Sequence, residues 1–107
     1  MAYRFLVGET KSGDSSWWLY AENGEMTAWA GETFASPANA RRAASSFKTG
    51  AISARYETYP DGGGVWRWRA WTSSDKVASS GESFANSFNA QLAAERVRDN
   101  AGTATGL

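Results

Sequence analysis

Residues 31–40 read GETFASPANA, and residues 81–90 read GESFANSFNA. In each stretch a Gly-Glu pair closes a strand-like run, an aromatic residue follows, and an alanine-rich segment comes after a small polar residue. The small polar residues Ser36 and Asn86 are of the types that favour the N-cap of a helix. Both stretches therefore predict a junction at which a strand ends and a helix begins.

The two junctions belong to a longer internal match. Residues 16–48 and 66–98 share ten identities at an offset of 50 positions, among them Trp18 with Trp68. The shared junction residues are Gly31, Glu32, Phe34, Gly81, Glu82 and Phe84. The match predicts a tandem duplication with internal pseudo-two-fold symmetry, in which Trp18 and Trp68 both lie in the core.

Each repeat has three strand-like segments before its helix. The predicted strands are residues 3–7, 17–21, 26–30, 55–59, 65–71 and 76–80. Asn23-Gly24 predicts a type I′ turn, because this dipeptide tolerates positive φ at both central positions. Pro37 suits the first position of the first helix, and Gly50 is expected to end it.

One such unit is too small to bury its apolar face alone. We therefore predict an α+β fold, with one six-stranded antiparallel sheet and two helices packed on one face. The predicted domain covers residues 1–101, with repeats at 3–50 and 54–100, and residues 102–107 form a flexible tail.

The composition narrows the classes of function. Eleven basic and eleven acidic residues give a net charge of zero, which disfavours nucleic-acid binding because such proteins usually carry a basic excess. The absence of His and Cys removes the commonest general base, the commonest metal ligand and every thiolate site. We expect a non-enzymatic, soluble cytoplasmic protein that has no metal or cofactor and does not enter membranes.

Several motifs in this order resemble the YegP-like family of small tandem-repeat proteins of unknown function. They are the alternating run at 66–69, the turn at 23–25, the Ser-Gly-Glu at 80–82 and the helix openings at Ser36 and Asn86. The resemblance covers about residues 3–100. It implies one sheet formed by two repeats, with the helices exchanged between them, and it supplies no catalytic residues to carry over.

The open face of the predicted sheet is the candidate binding surface. In the fifth strand Arg67, Arg69 and Trp71 alternate with Trp66 and Trp68, so they face away from the helices. The predicted surface comprises Trp17, Leu19, Trp29, Arg67, Arg69 and Trp71. Its apolar content indicates a protein partner or self-association, and a nucleic-acid accessory role for Arg67 and Arg69 is the alternative.

Glu32 and Glu82 are the candidates for an enzymatic site. They are the only acidic residues that the repeat preserves, and paired carboxylates can act as acid and base. No other catalytic group accompanies them, so a structural role at the strand ends is expected. Gly62-Gly63-Gly64 precedes a strand rather than a helix, so it indicates a turn and not a phosphate-binding loop.

Overall fold

The structure is a computed structural model that describes residues 2–107, so Met1 of the predicted domain lies outside the described residues. The strands are β1 (Arg4–Glu9), β2 (Ser15–Tyr20), β3 (Met26–Trp29), β4 (Arg55–Asp61), β5 (Val65–Thr72) and β6 (Asp75–Ser80). The helices are α1 (Pro37–Gly50) and α2 (Ser87–Asn100), and a 3-10 turn follows at Ala101–Thr103. Three strands and a helix are thus followed by three strands and a helix, as predicted.

All six strands form one antiparallel sheet in the order β1-β2-β3-β6-β5-β4. The two halves of the chain meet at β3 and β6, where Ala28 pairs with Ser80 and Trp29 pairs with Ser79. The helix α1 packs over β1 and β2 and reaches β6, while α2 packs over β4 and β5 and reaches β3. The predicted α+β fold is confirmed, but each helix lies mainly over its own half, so the implied exchange of helices is not observed.

Both helices begin where the cap residues predict. The Ser36 hydroxyl accepts a hydrogen bond from the Asn39 amide at 3.1 Å, and the Asn86 side chain accepts one from the Asn89 amide at 2.8 Å. Each contact satisfies an amide that would otherwise lack a partner in the first helical turn. The junction residue Gly31 has φ of 77°, a conformation that favours glycine.

The core lies between the helices and one face of the sheet. Aromatic residues from the strands occupy its centre, and small residues on the helices let the two layers approach closely. Trp17 and Trp68 are the two largest fully buried side chains. The buried alanines of the helices are Ala40, Ala44, Ala90 and Ala94.

The turn between β2 and β3 (called the first turn) is one residue longer than the turn between β5 and β6. Tyr20 pairs with Met26 across residues 21–25, whereas Trp71 pairs with Lys76 across residues 72–75. A constant offset of 50 therefore matches the two halves after the turn but not in the strand before it.

This extra residue makes Trp17, rather than Trp18, the core counterpart of Trp68. Trp17 and Leu19 are fully buried, while Trp18 points to the opposite face and is partly exposed. The predictions that Trp17 and Leu19 lie on the open face and that Trp18 lies in the core are therefore wrong. A shift of one residue along a strand moves every side chain to the other face of the sheet.

The extra residue also explains the conformation of the first turn. Gly24 has φ of 88°, whereas Asn23 is not among the described residues with positive φ, so the predicted type I′ turn is wrong. The Gly24 amide donates to the Ala21 carbonyl at 2.9 Å, and the Ala21 amide donates to the Glu25 carbonyl at 2.9 Å. This pattern is typical of a type I turn followed by a left-handed glycine, which forms a bulge.

Residues 102–107, predicted as a flexible tail, pack along the outer edge of β1. The Phe5 amide donates to the Thr105 carbonyl at 2.8 Å, and the Thr105 amide donates to the Tyr3 carbonyl at 2.9 Å. Ala104 is buried, and its carbonyl accepts a hydrogen bond from Lys48 Nζ at 2.7 Å. The segment therefore covers part of an edge strand that would otherwise expose unpaired backbone groups.

Candidate binding surface on the open face of the sheet

One row of paired residues crosses the open face through all six strands. Each member lies opposite the next in the antiparallel register, so their side chains share one face. From β1 to β4 the row is Leu6, Trp18, Trp29, Ser79, Arg69 and Glu57. Both helices lie on the other face, so the row is not covered by either of them.

The β1–β3 half of this face is apolar. Trp18 and Trp29 lie directly opposite each other, and Leu6, opposite Trp18, is 47% exposed. A Cβ atom added to Gly8 would lie 3.6 Å from the ring of Trp18, so this glycine lies beneath the indole. Leu6, Trp18, Tyr20 and Trp29 are called the aromatic patch below.

The β4–β6 half is built around Arg69. Its Nε donates to Glu57 Oε1 at 2.7 Å, and Trp71 Nε1 donates to the same oxygen at 3.2 Å. The guanidinium lies 4.3 Å from the centre of the Tyr59 ring and 5.6 Å from that of Trp71. Arg69, Glu57, Tyr59 and Trp71, together with Arg67, are called the arginine cluster below.

The charges of this cluster are largely paired within the chain. The hydrogen bond from Arg69, supported by that from Trp71, lowers the pKa of Glu57. Arg67 Nε donates to Asp61 Oδ2 at 2.7 Å, and this bond, with one from the Gly62 amide, lowers the pKa of Asp61. Both guanidinium groups therefore already have a carboxylate partner, which reduces their attraction for a phosphate backbone.

Two further arginines lie over aromatic rings of the same face. Arg4 lies 5.5 Å from the centre of the Tyr20 ring, and Arg55 lies 5.7 Å from that of Trp71. Each pair joins an outer strand to its neighbour, and each ring gains a favourable cation–π contact.

Four of the six predicted surface residues lie on the open face: Trp29, Arg67, Arg69 and Trp71. Trp17 and Leu19 lie in the core, and Leu6, Trp18 and Tyr20 were missed. Leu6 could have been found from the alternation of β1, since Tyr3, Phe5 and Val7 fall on one face of the strand and Leu6 on the other. Trp18 and Tyr20 could be placed on the open face only once the length of the turn between β2 and β3 was known.

Glu32 and Glu82 line separate cavities and are not brought together in one site. Glu32 borders a cavity of about 360 Å³ together with Asp75, and Glu82 borders one of about 140 Å³ together with Glu25. Partial burial and then the nearby Glu25 carboxylate raise the pKa of Glu82. Among residues 2–107 no group of three acidic side chains lies close enough to hold a metal ion.

Comparison with known proteins gives a fold relationship only. No family model matches the chain, and no curated protein matches it. The protein of unknown function YegP from E. coli has a similar solved structure, with a TM-score of 0.82 and 20% identity over 99% of this chain and 91% of that one. The UPF0339 protein SO3888 from Shewanella oneidensis has a TM-score of 0.80 and 16% identity over the same shares.

These similarities confirm the YegP-like fold that the motifs predict. Identities of 20% and 16% do not carry over any activity, and the E. coli relative is itself described as a protein of unknown function. No helix within residues 2–107 is both long enough and apolar enough to cross a membrane.

Proposed function

We propose that this chain, which has a YegP-like fold, is a non-enzymatic binding module that acts through the open face of its sheet. The observation that carries the proposal is the direct pairing of Trp18 with Trp29 beside the 47%-exposed Leu6, on a face that neither helix covers. Trp, Tyr and Arg are the residues that most often dominate the energy of protein–protein contacts. The aromatic patch and the arginine cluster supply all three types.

The two halves of the face complement each other, which makes a second copy of the chain a suitable partner. A two-fold axis parallel to the strands, at the junction of β3 and β6, would place the arginine cluster of one copy over the aromatic patch of the other. Arg69 would then lie against Trp18 of the second copy, a cation–π arrangement. The zero net charge imposes no overall repulsion between copies.

The size of the face sets the strength of such a contact. Six strands at about 4.8 Å spacing and about 20 Å length give roughly 600 Å² per copy. The total of roughly 1,200 Å² is at the lower limit of specific interfaces. We therefore expect a weak, reversible dimer rather than an obligate one.

We further infer that the two halves are copies of one duplicated unit whose open faces have diverged. When the extra residue of the first turn is allowed for, Leu6 corresponds to Glu57, Trp18 to Arg69 and Tyr20 to Trp71. The core keeps Trp17 and Trp68 at matching positions, whereas two of the three open-face positions change, from the apolar Leu6 and Trp18 to the charged Glu57 and Arg69. This divergence supports a function for the open face that needs two unlike surfaces.

Sedimentation velocity between about 1 μM and about 1 mM tests the proposal. We expect a concentration-dependent dimer that Trp18→Lys weakens at least about tenfold, because it removes the indole against which Arg69 of the second copy would lie. Phe88→Ser is the matched control, since Phe88 is 67% exposed on α2, away from this face. Circular dichroism confirms that each variant is folded.

The Trp18→Lys variant also distinguishes the dimer from the nucleic-acid alternative. If Arg67 and Arg69 bound nucleic acid, a labelled single strand or duplex would bind at about 20 mM salt and dissociate as salt rises. Trp18→Lys would then strengthen binding by adding a positive charge. A monomer at every concentration, together with salt-dependent binding of nucleic acid, would overturn the dimer in favour of that alternative.

A further inference from the structure

A second feature, distinct from the open face, is the cavity of about 360 Å³ between α1 and the β5–β6 hairpin. The second half of α1 forms one wall, the segment between β3 and α1 forms another, and the hairpin closes the third side. A volume of this size lies at the lower end of the range of small-molecule sites.

The floor of this cavity is apolar and fixed in place. Phe47 is only 2% exposed, and its ring stacks on Trp17 with centroids 5.2 Å apart. Phe34 packs against the core, and its amide donates to the Ser15 carbonyl at 2.8 Å. These contacts hold the walls without a ligand, so binding would cost little reorganisation.

The rim carries an excess of negative charge. The carboxylates of Glu32 and Asp75 line it, and neither forms an ion pair with any other of residues 2–107. The one lining cation is Lys76, whose Nζ donates to the Gly31 carbonyl at 3.5 Å. Two carboxylates and one ammonium leave the lining with a charge of −1, and the C-terminal end of α1, at Gly50, adds the negative end of the helix dipole.

Comparison with the smaller cavity of about 140 Å³, in the other half of the protein, explains why the larger cavity is open. Its lining has Glu82, Phe84 and Ala93 at positions that match Glu32, Phe34 and Ala43. The helical wall differs, because α2 carries Arg96 where α1 carries Ser46. In the smaller cavity a cationic side chain thus borders the carboxylates, whereas in the larger one a short hydroxyl leaves the space empty.

We propose that the larger cavity binds a small organic monocation, a protonated amine carried on a compact aromatic or branched aliphatic body. The apolar body would lie against Phe34 and Phe47, and the ammonium would lie near Glu32 and Asp75, in the place that Arg96 has in the smaller cavity. The ligand charge of +1 would neutralise the lining, and the ammonium can donate to both carboxylates. The partly exposed rim and the small ligand indicate a Kd of about 1 mM.

The experiment is a titration of the ¹⁵N-labelled protein with 2-phenylethylammonium, followed by amide chemical shifts. We expect saturable shifts centred on Ser46, Phe47, Gly50 and Val77. The neutral isostere 2-phenylethanol should bind at least about fivefold more weakly, and the anion 3-phenylpropionate more weakly still. Equal binding of amine and alcohol, preferred binding of the anion, or the absence of saturable shifts at these residues would overturn the proposal.

Two kinds of variant locate the site. Ser46→Arg gives α1 the residue that α2 carries at the matching position, so the helix should tolerate it while the affinity for the amine falls at least about tenfold. Glu32→Gln should lower the affinity about threefold, and Glu82→Gln, in the other cavity, should leave it unchanged. Full binding by a folded Ser46→Arg variant would place the ligand elsewhere.

The Trp18→Lys variant tests whether amine binding in the cavity is independent of the open face. It lies on the opposite face of the sheet and should leave the affinity for the amine unchanged even if it abolishes the dimer. Loss of amine binding in a folded Trp18→Lys variant would contradict the cavity as the site, whatever the outcome for the dimer.

Discussion

Trp17 of β2 stacks on Phe47 of α1, with ring centroids 5.2 Å apart and ring planes inclined by 18°. Phe5 meets both rings edge-on, at 5.6 Å from Trp17 and 6.5 Å from Phe47. Aromatic pairs in such geometry contribute about 0.5–1.5 kcal/mol beyond the area they bury. The three rings therefore fix α1 against β1 and β2.

Trp17→Ala and Trp18→Ala should differ sharply in stability although the two residues are adjacent. Trp17 is fully buried, so its truncation should lower the free energy of unfolding by about 3–5 kcal/mol. Trp18 is partly exposed on the open face, and its truncation should cost about 1 kcal/mol. Urea unfolding of both variants checks this, and equal costs would contradict the register of β2.

The helices and their junctions were predictable because their signals are local. Ser36 and Asn86 each cap a helix through an amide three residues later, and these contacts depend on a few neighbouring residues alone. The single antiparallel sheet likewise follows from short strands that need a shared core, whereas the order of the strands is known only from the structure. Tail residues such as Ala104 were not predictable, because their burial depends on contacts with β1 and Lys48, far away in the chain.

The faces of β2 were not predictable from the repeat alone. Trp17 and Trp18 are chemically identical neighbours, and the alignment of Trp18 with Trp68 selects the wrong one. The deciding feature is the single extra residue in the 21–25 turn, which shifts the register by one. The cavity beside Glu32 could not be predicted from the sequence either, because it forms only where the β5–β6 hairpin lies against α1.

Gly81→Ala should destabilise the protein by about 1–3 kcal/mol. A Cβ atom at Gly81 would clash with the backbone carbonyl of Met26, so the junction between β6 and α2 would have to move away from the neighbouring hairpin. Gly62→Ala is the matched control, because a Cβ there would meet no atom within 4 Å. Thermal unfolding should place Gly62→Ala within about 0.5 kcal/mol of the natural protein, and an equally mild effect of Gly81→Ala would argue against this packing.

Deletion of residues 102–107 should lower the free energy of unfolding by about 2 kcal/mol. It removes two backbone hydrogen bonds that Thr105 makes with Tyr3 and Phe5, each worth about 1 kcal/mol, and it removes the Ala104 carbonyl that accepts from Lys48 Nζ. The uncovered edge of β1 should also promote association, which light scattering would detect. Deletion of Leu107 alone should have little effect, and unchanged stability of the longer deletion would show that the segment is not held in place.

Glu82 should make the stability of the protein depend on pH in a direction opposite to that of Glu57. The pKa of Glu82 is raised in the folded state, by partial burial and then by Glu25, so the folded state binds its proton more tightly than the unfolded state does. The resulting stabilisation of the folded state is fully present below pH about 4, which is the pKa range of a carboxyl group in the unfolded chain. It is lost as pH rises through the raised pKa of the folded state. Glu82→Gln should therefore stabilise the protein at pH about 7, by about 0.3 kcal/mol given the exposure of the group, and should have little effect at pH about 3.

Glu57→Gln is the control of opposite sign. The pKa of Glu57 is lowered by its hydrogen bond from Arg69, so its contribution is present at neutral pH and is lost as pH falls through the lowered pKa. Glu57→Gln should accordingly destabilise the protein at pH about 7 and have a smaller effect at pH about 3.

A double-variant cycle tests the repulsion between Glu25 and Glu82. Glu25→Gln combined with Glu82→Gln should raise the free energy of unfolding by less than the sum of the two single increases, because either change alone removes the repulsion between the two carboxylates. Urea unfolding at the two pH values measures the stability of the three single variants and of the double variant. If Glu82→Gln were less stable than the natural protein at neutral pH, this would contradict the unfavourable environment inferred for the Glu82 carboxylate.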